Sequence, residues 1–163
     1  MKDQLLLCPV LALCSRALLA DEGHQHFDAR EAYNQAIAYW VRAVGAGDLH
    51  DEPAAQDAVY HYDAMVEATK KGNHAFIAKY MRTDQDEAHA WLTFVQGKNG
   101  DAVSLLRGIA DKQDVEGKGE VELPAREMLG DMLLEMGRSE EALAEYEKAM
   151  KVDPNRFNEL YGA

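Results

Sequence analysis

Proline is scarce in this chain, at four residues in 163, so little interrupts a helix once it has started. Cysteine is scarcer, with only Cys8 and Cys14. Neither has a Cys or His nearby at zinc spacing, and two residues cannot build a structural zinc site alone. Basic residues are few: 17 Lys and Arg face 29 Asp and Glu, for a formal charge of −12. That imbalance excludes a nucleic-acid backbone and an anionic membrane surface as partners, since both would be repelled. The apolar run from Leu5 to Leu13 covers nine residues, too short to cross a bilayer, which takes about 20. No stable membrane insertion is expected.

The common catalytic signatures are missing as well. Gly97-Lys98 and Gly117-Lys118 lack the upstream glycine and the following Ser or Thr of a phosphate-binding loop. There is no Gly-x-Ser-x-Gly elbow, and neither cysteine has a base close by in sequence. The histidines invite a metal reading. His24 and His26 lie among Asp21, Glu22 and Asp28, His50 precedes Asp51-Glu52, and Asp57 and His61 are four apart. None forms a His-Glu-x-x-His pattern, and among 29 acids such neighbours arise freely. The expectation is a non-enzyme with no catalytic residue, cofactor or metal.

What remains is helix-forming. Hydrophobic residues make up 47% and charged residues 28% of the chain, as in a soluble domain, and Ala, Leu, Glu, Lys and Met are plentiful. The excess acid has two readings, a solvated surface or attraction to a basic partner. Apolar residues recur at helical spacing in Asp28 to Val44, Pro53 to Lys71, His74 to Gln96 and Asp101 to about Lys112. Turns are expected at Gly45–Pro53, Gly72-Asn73 and Gly97–Gly100, and a surface loop at Asp111–Glu122.

Leu123 to Pro154 carries a more specific pattern. Counted from Leu123 as position 1, Leu129, Gly130, Leu133, Ala142, Tyr146, Ala149 and Pro154 fall at positions 7, 8, 11, 20, 24, 27 and 32. This resembles the tetratricopeptide repeat, a 34-residue helix–turn–helix unit with small residues at its crossing points. The first aromatic of that motif is replaced by Arg126. Gly97 and Ala102 repeat the spacing of Gly137 and Ala142, giving a degenerate copy with Ala90 at position 8 and Leu106 at position 24. A more divergent copy has Tyr39, Ala43, Ala55 and Val59 at positions 4, 8, 20 and 24. The runs from Leu123 to Asp131 and from Asp153 to Phe157 are similar to the C-terminal part of bacterial tetratricopeptide-repeat proteins of unassigned function.

The resemblance implies an all-α fold, a right-handed α-solenoid of stacked helix hairpins. The repeat domain would cover residues 28–163, with units at 28–71, 74–113 and 123–154. A partial repeat from 157 suggests a piece of a longer repeat protein. In the family, positions 2, 5, 9, 12 and 13 of each first helix line a concave groove. Here they supply Asp84, Glu87, Trp91, Phe94 and Val95, then Pro124, Glu127, Asp131, Leu134 and Glu135, of which Asp84, Glu87, Trp91, Phe94, Glu127, Asp131 and Leu134 are the candidate partner-binding residues. The implied function is a scaffold or adaptor holding a protein or peptide, with the acids favouring a basic segment. The Lys and Asn clamp of chaperone-binding members is absent. Trp91 and Phe94 have a competing reading as core. Two other functions stay open: an accessory tail of a larger catalytic protein, and self-association through an uncapped end.

Residues 1–20 form an N-terminal apolar segment, also with two readings. Lys2, the apolar run and Ser15-Arg16-Ala17 have the layout of a signal peptide cleaved near Ala17. Asp3, Pro9 and Arg16 argue for an ordinary first helix. Localisation is open between cytoplasm and export.

Overall fold

The structure, a computed structural model, describes residues 29–71, 75–116, 123–152, 154 and 161–163. The apolar segment with both cysteines, the signal-peptide reading, His24, His26 and the start of the partial repeat lie outside the described residues. The helices are α1 (Ala29–Asp48), α2 (Glu52–Lys71), α3 (Ala75–Val95), α4 (Asn99–Glu116), α5 (Ala125–Glu135) and α6 (Ser139–Val152). No strand occurs among the described residues. Consecutive helices pack on one another and α1 also packs on α3. The fold is an all-α stack of helix hairpins.

Three turns show that the hairpins are copies of one unit. Among the described residues, His50, Gly97 and Gly137 are those with positive φ, at 55°, 76° and 70°. Each closes a first helix with the same pair of backbone bonds. The N–H of His50, Gly97 and Gly137 donates to the carbonyl of Gly47, Phe94 and Leu134, and the next N–H reaches back to Ala46, Thr93 and Leu133. This is the left-handed helix stop that satisfies carbonyls otherwise left bare. Four residues on from Asp51, Lys98 and Arg138, the N–H of Ala55, Ala102 and Ala142 returns to their carbonyls and starts the second helix.

The same register sets the packing. Ala43, Ala90 and Gly130 lie seven residues before the left-handed residue, and Ala55, Ala102 and Ala142 five after it. All six are buried, because two helices crossing closely leave no room for longer side chains. Val59, Leu106 and Tyr146, four residues further along the second helix, are buried in the seam. Side-chain size covaries across it: Ala90 accompanies Leu106, whereas Gly130 accompanies the larger Tyr146. The Tyr146 ring is so close that a Cβ at Gly130 would meet its Cε1 at 2.5 Å.

Two expectations about helix ends are corrected. The turn expected from Gly45 begins only after Asp48, and α1 runs straight through Gly45-Ala46-Gly47. Gly47 acts there as a close-approach residue, since a Cβ would stand 2.9 Å from Trp91 Cβ. The loop expected from Asp111 is helical as far as Glu116. Its polar side chains have partners that a sequence pattern does not reveal. Arg126 donates from Nε to Asp114 at 2.9 Å, and its terminal nitrogens bind Glu145 and Asp111. Arg126 and Glu145 are both buried. The guanidinium thus occupies the site of the motif's missing aromatic and ties α4, α5 and α6 together.

Candidate functional site

Most of the side chains expected to line a groove are packed inside. Glu87, Trp91, Phe94 and Glu127 are buried, Asp84 and Asp131 are partly covered, and Leu134 is 46% exposed. The picture of four exposed carboxylates recruiting a partner past Trp91 is therefore corrected: Glu87 and Glu127 do not reach solvent. Trp91 and Phe94 take their competing role as core. Trp91 packs edge-to-face on Phe94, with ring centroids 5.8 Å apart, and its indole N–H points at Met128 Sδ at 3.4 Å.

The reason is the position of α1. Its C-terminal turn lies over α3 through Gly47 against Trp91 and reaches α5, where His50 Nε2 comes within 3.6 Å of Glu135. His50 also stacks obliquely on Phe94 at 5.4 Å. Trp91 sits between Gly47 of α1 and Met128 of α5. An open superhelix would leave this space as a groove; here it is core.

Glu87 joins α3 to two other helices. One carboxylate oxygen accepts the Trp40 indole N–H from α1 at 3.1 Å, and the other accepts the Gln113 amide from α4 at 3.1 Å. The Gln113 carbonyl in turn accepts the Ala125 backbone N–H at the start of α5, at 3.0 Å. Burial pushes the Glu87 carboxyl up, the negative charge of Asp84 adds to this, and the two donors offset part of it, leaving it near about 8. Sequence reasoning missed Trp40 and Gln113 as its partners. Trp40 was within reach of the register, since it occupies the same repeat position as Glu87 and Glu127. Gln113 was not, because it sat in a stretch that read as loop.

Asp84 and Asp131 each meet a tyrosine. The Tyr62 hydroxyl donates to the Met81 carbonyl at 2.9 Å and lies 3.4 Å from Asp84. The Tyr146 hydroxyl donates to Asp131. Burial raises the Asp131 carboxyl, the tyrosine bond lowers it, and the charges of Glu127, Asp48 and Glu135 raise it further. Asp48, Glu127, Asp131 and Glu135 thus gather several acids where the end of α1 meets α5. The surface there comprises Asp48, Leu49, Leu134 and Glu135, all exposed.

The paired residues Asp57 and His61 are accounted for by packing. Asp57 binds Arg42 at 3.0 Å, and the His61 ring stacks on Tyr39 with centroids 4.8 Å apart. Among the described residues no three His, Cys, Asp or Glu side chains gather as metal ligands, and no helix is long and apolar enough to cross a membrane.

Comparison with known proteins agrees with the geometry. No curated protein and no solved structure matches the chain. Residues 123–156 match the family model of the tetratricopeptide repeat, the segment in which the hairpin turn, the Gly130–Tyr146 crossing and the buried Ala142 and Ala149 occur together. The chain is thus a tetratricopeptide-repeat-containing protein, with an all-helical architecture that generally scaffolds contacts between proteins and is typically non-catalytic.

Proposed function

We propose that this protein is an adaptor whose repeat domain, residues 28–163, docks a basic, partly apolar segment of a protein partner. The observation that supports it is the edge where α1 meets α5. Leu49 is 79% exposed and Leu134 46% exposed, with Asp48, Asp131 and Glu135 beside them. Two exposed leucines supply apolar area, and burying one side chain fully contributes about 1.5–3 kcal/mol. The carboxylates supply orientation and speed of encounter, with their field screened over about 8 Å at physiological salt. With Trp91 and Phe94 buried, the docking surface in this reading is the edge of the first helices rather than their inner face.

Two synthetic helical peptides of equal length test it, one carrying leucine and lysine faces and the other leucine and glutamate. The lysine peptide is expected to bind, with an association rate that falls as salt is raised. Reversing Asp48 and Glu135 together to lysine should slow association severalfold, and Leu134→Ser should speed dissociation. Reversing Glu140 and Glu147, two exposed acids on α6, should leave both rates unchanged. Circular dichroism verifies that each variant keeps its helices. Equal binding of the two peptides, or equal loss in the α6 control, would overturn the proposal.

A further inference from the structure

We infer that a second copy of this chain is a partner of the acidic edge, presenting to it a basic, aromatic face at the start of α3. The inference rests on the docking edge proposed above and names a surface that fits it. Phe76 and Tyr80, one turn apart on α3, are 70% and 61% exposed and pack edge-to-face with ring centroids 4.8 Å apart. Lys79 flanks the pair, and Arg82, three residues on, continues that flank. Both are exposed and make no ion pair among the described residues. Exposed Lys71 ends α2 just before α3 begins. Between Glu67 and Asp84 the sequence holds no acid, although 29 of the 163 residues are Asp or Glu. Cations are thus gathered at one place on a chain that is acidic as a whole.

The stack explains why these rings are exposed. α3 begins at Ala75, 22 residues before its left-handed stop, whereas α5 begins at Ala125, 12 before its own. The first turns of α3 therefore run past the start of α5, and Phe76 and Tyr80 stand on that overhang. Rings exposed there suit an edge that brings leucines, and Lys79 and Arg82 suit its carboxylates. The edge formed by Asp48, Leu49, Leu134 and Glu135 has both. It cannot meet this face within one molecule. α1 runs parallel to α3, since Trp40 bonds Glu87 and Gly47, further along α1, abuts Trp91, further along α3. The edge lies at the Phe94 end, where His50 touches Phe94 and reaches Glu135. Tyr80 is 14 residues from Phe94, about 21 Å along the helix. Edge and face thus sit at opposite ends of the first helices, and copies meet head to tail. Such a contact leaves one edge and one face free, so association continues beyond a pair.

Analytical ultracentrifugation of the full chain over a concentration series tests the inference. At low salt the mean mass should rise past that of a dimer as concentration increases, and raised salt should return it toward the monomer. A chain that stays monomeric throughout overturns the inference, and binding of the leucine–lysine peptide to that monomer would leave the docking edge standing. Two variants, each checked by circular dichroism, identify the surfaces. Lys79→Glu with Arg82→Glu reverses the face, and Asp48→Lys with Glu135→Lys reverses the edge. Each alone should be monomeric, because its face and its edge then carry the same sign. A mixture of the two should associate, because each supplies the charge that the other has lost. Association of either variant alone as in the wild type, or a mixture that stays monomeric, also overturns the inference. The wild-type series in salt does not depend on either variant folding.

Discussion

Arg126→Leu should lower stability by about 3–5 kcal/mol, the range for breaking a buried ion pair from one side. The guanidinium is bound by Glu145, Asp114 and Asp111, and the Arg126 and Glu145 side chains are only 3% and 5% exposed. Leucine fills part of the volume and answers none of the carboxylates. Asp111 is largely exposed and can turn to water, whereas Glu145 cannot. Lys148 at 3.1 Å and Arg107 at 3.6 Å remain beside Glu145, which places the expected loss toward the lower end. Adding Glu145→Met should recover part of it, since the uncompensated charge is then gone. Urea denaturation of the two single variants and the double variant measures the coupling directly. A loss below about 1 kcal/mol for Arg126→Leu would mean the cluster behaves as a surface network.

Gly130→Leu should be nearly as damaging, at about 1–3 kcal/mol or more, the range for overpacking a seam. A Cβ at Gly130 would lie 2.5 Å from Tyr146 Cε1 and 2.7 Å from Cζ. The ring has no simple retreat. Its other edge faces Gly162, where an added Cβ would meet Cζ at 2.5 Å, and its hydroxyl is bound to Asp131. The second hairpin shows which substitution should compensate, because it pairs Ala90 with Leu106 at the matching positions. Gly130→Ala combined with Tyr146→Leu should therefore cost less than the sum of the two single changes, by about 0.5–3 kcal/mol. Thermal melts followed by the helical circular dichroism signal measure all three. A Gly130→Leu variant that melts with the wild type would show that this crossing is placed wrongly.

The hairpins were legible in the sequence because their spacing is fixed by covalent geometry. A left-handed stop, a small residue seven before it and another five after it must recur wherever two helices turn and cross in this way. Gly97, Gly137, Ala102 and Ala142 therefore carried the register. His50 concealed the first turn, since it adopts at φ 55° a conformation usually left to glycine. The glycines just before it, Gly45 and Gly47, read as a stop when they belong to the helix. The inner face was not legible. Groove positions assume first helices that diverge, and whether they do depends on side chains meeting across hairpins, such as Trp40 with Glu87 and Gly47 with Trp91. Acidic residues also read as exposed by default, so burial of Glu87 and Glu127 could not be read from their type. The helical end of α4 was hidden for a related reason, because its polarity is answered by Arg126 on the next hairpin.

The chain has two tryptophans, and each lies at a seam between hairpins. Trp40 sits against Glu87 where α1 meets α3, and Trp91 against Met128 where α3 meets α5. Each boundary between the three described hairpins therefore carries its own fluorophore, with a carboxyl group beside one and a thioether beside the other. Replacing either tryptophan by phenylalanine leaves emission from a single boundary. Repeat stacks owe their cohesion to nearest-neighbour interfaces and can come apart piecewise. In this protein the order of parting can be followed without an added label. Coincident denaturation curves from the two single-tryptophan forms would describe a stack that opens as one body, and separated curves would give the sequence in which its hairpins detach.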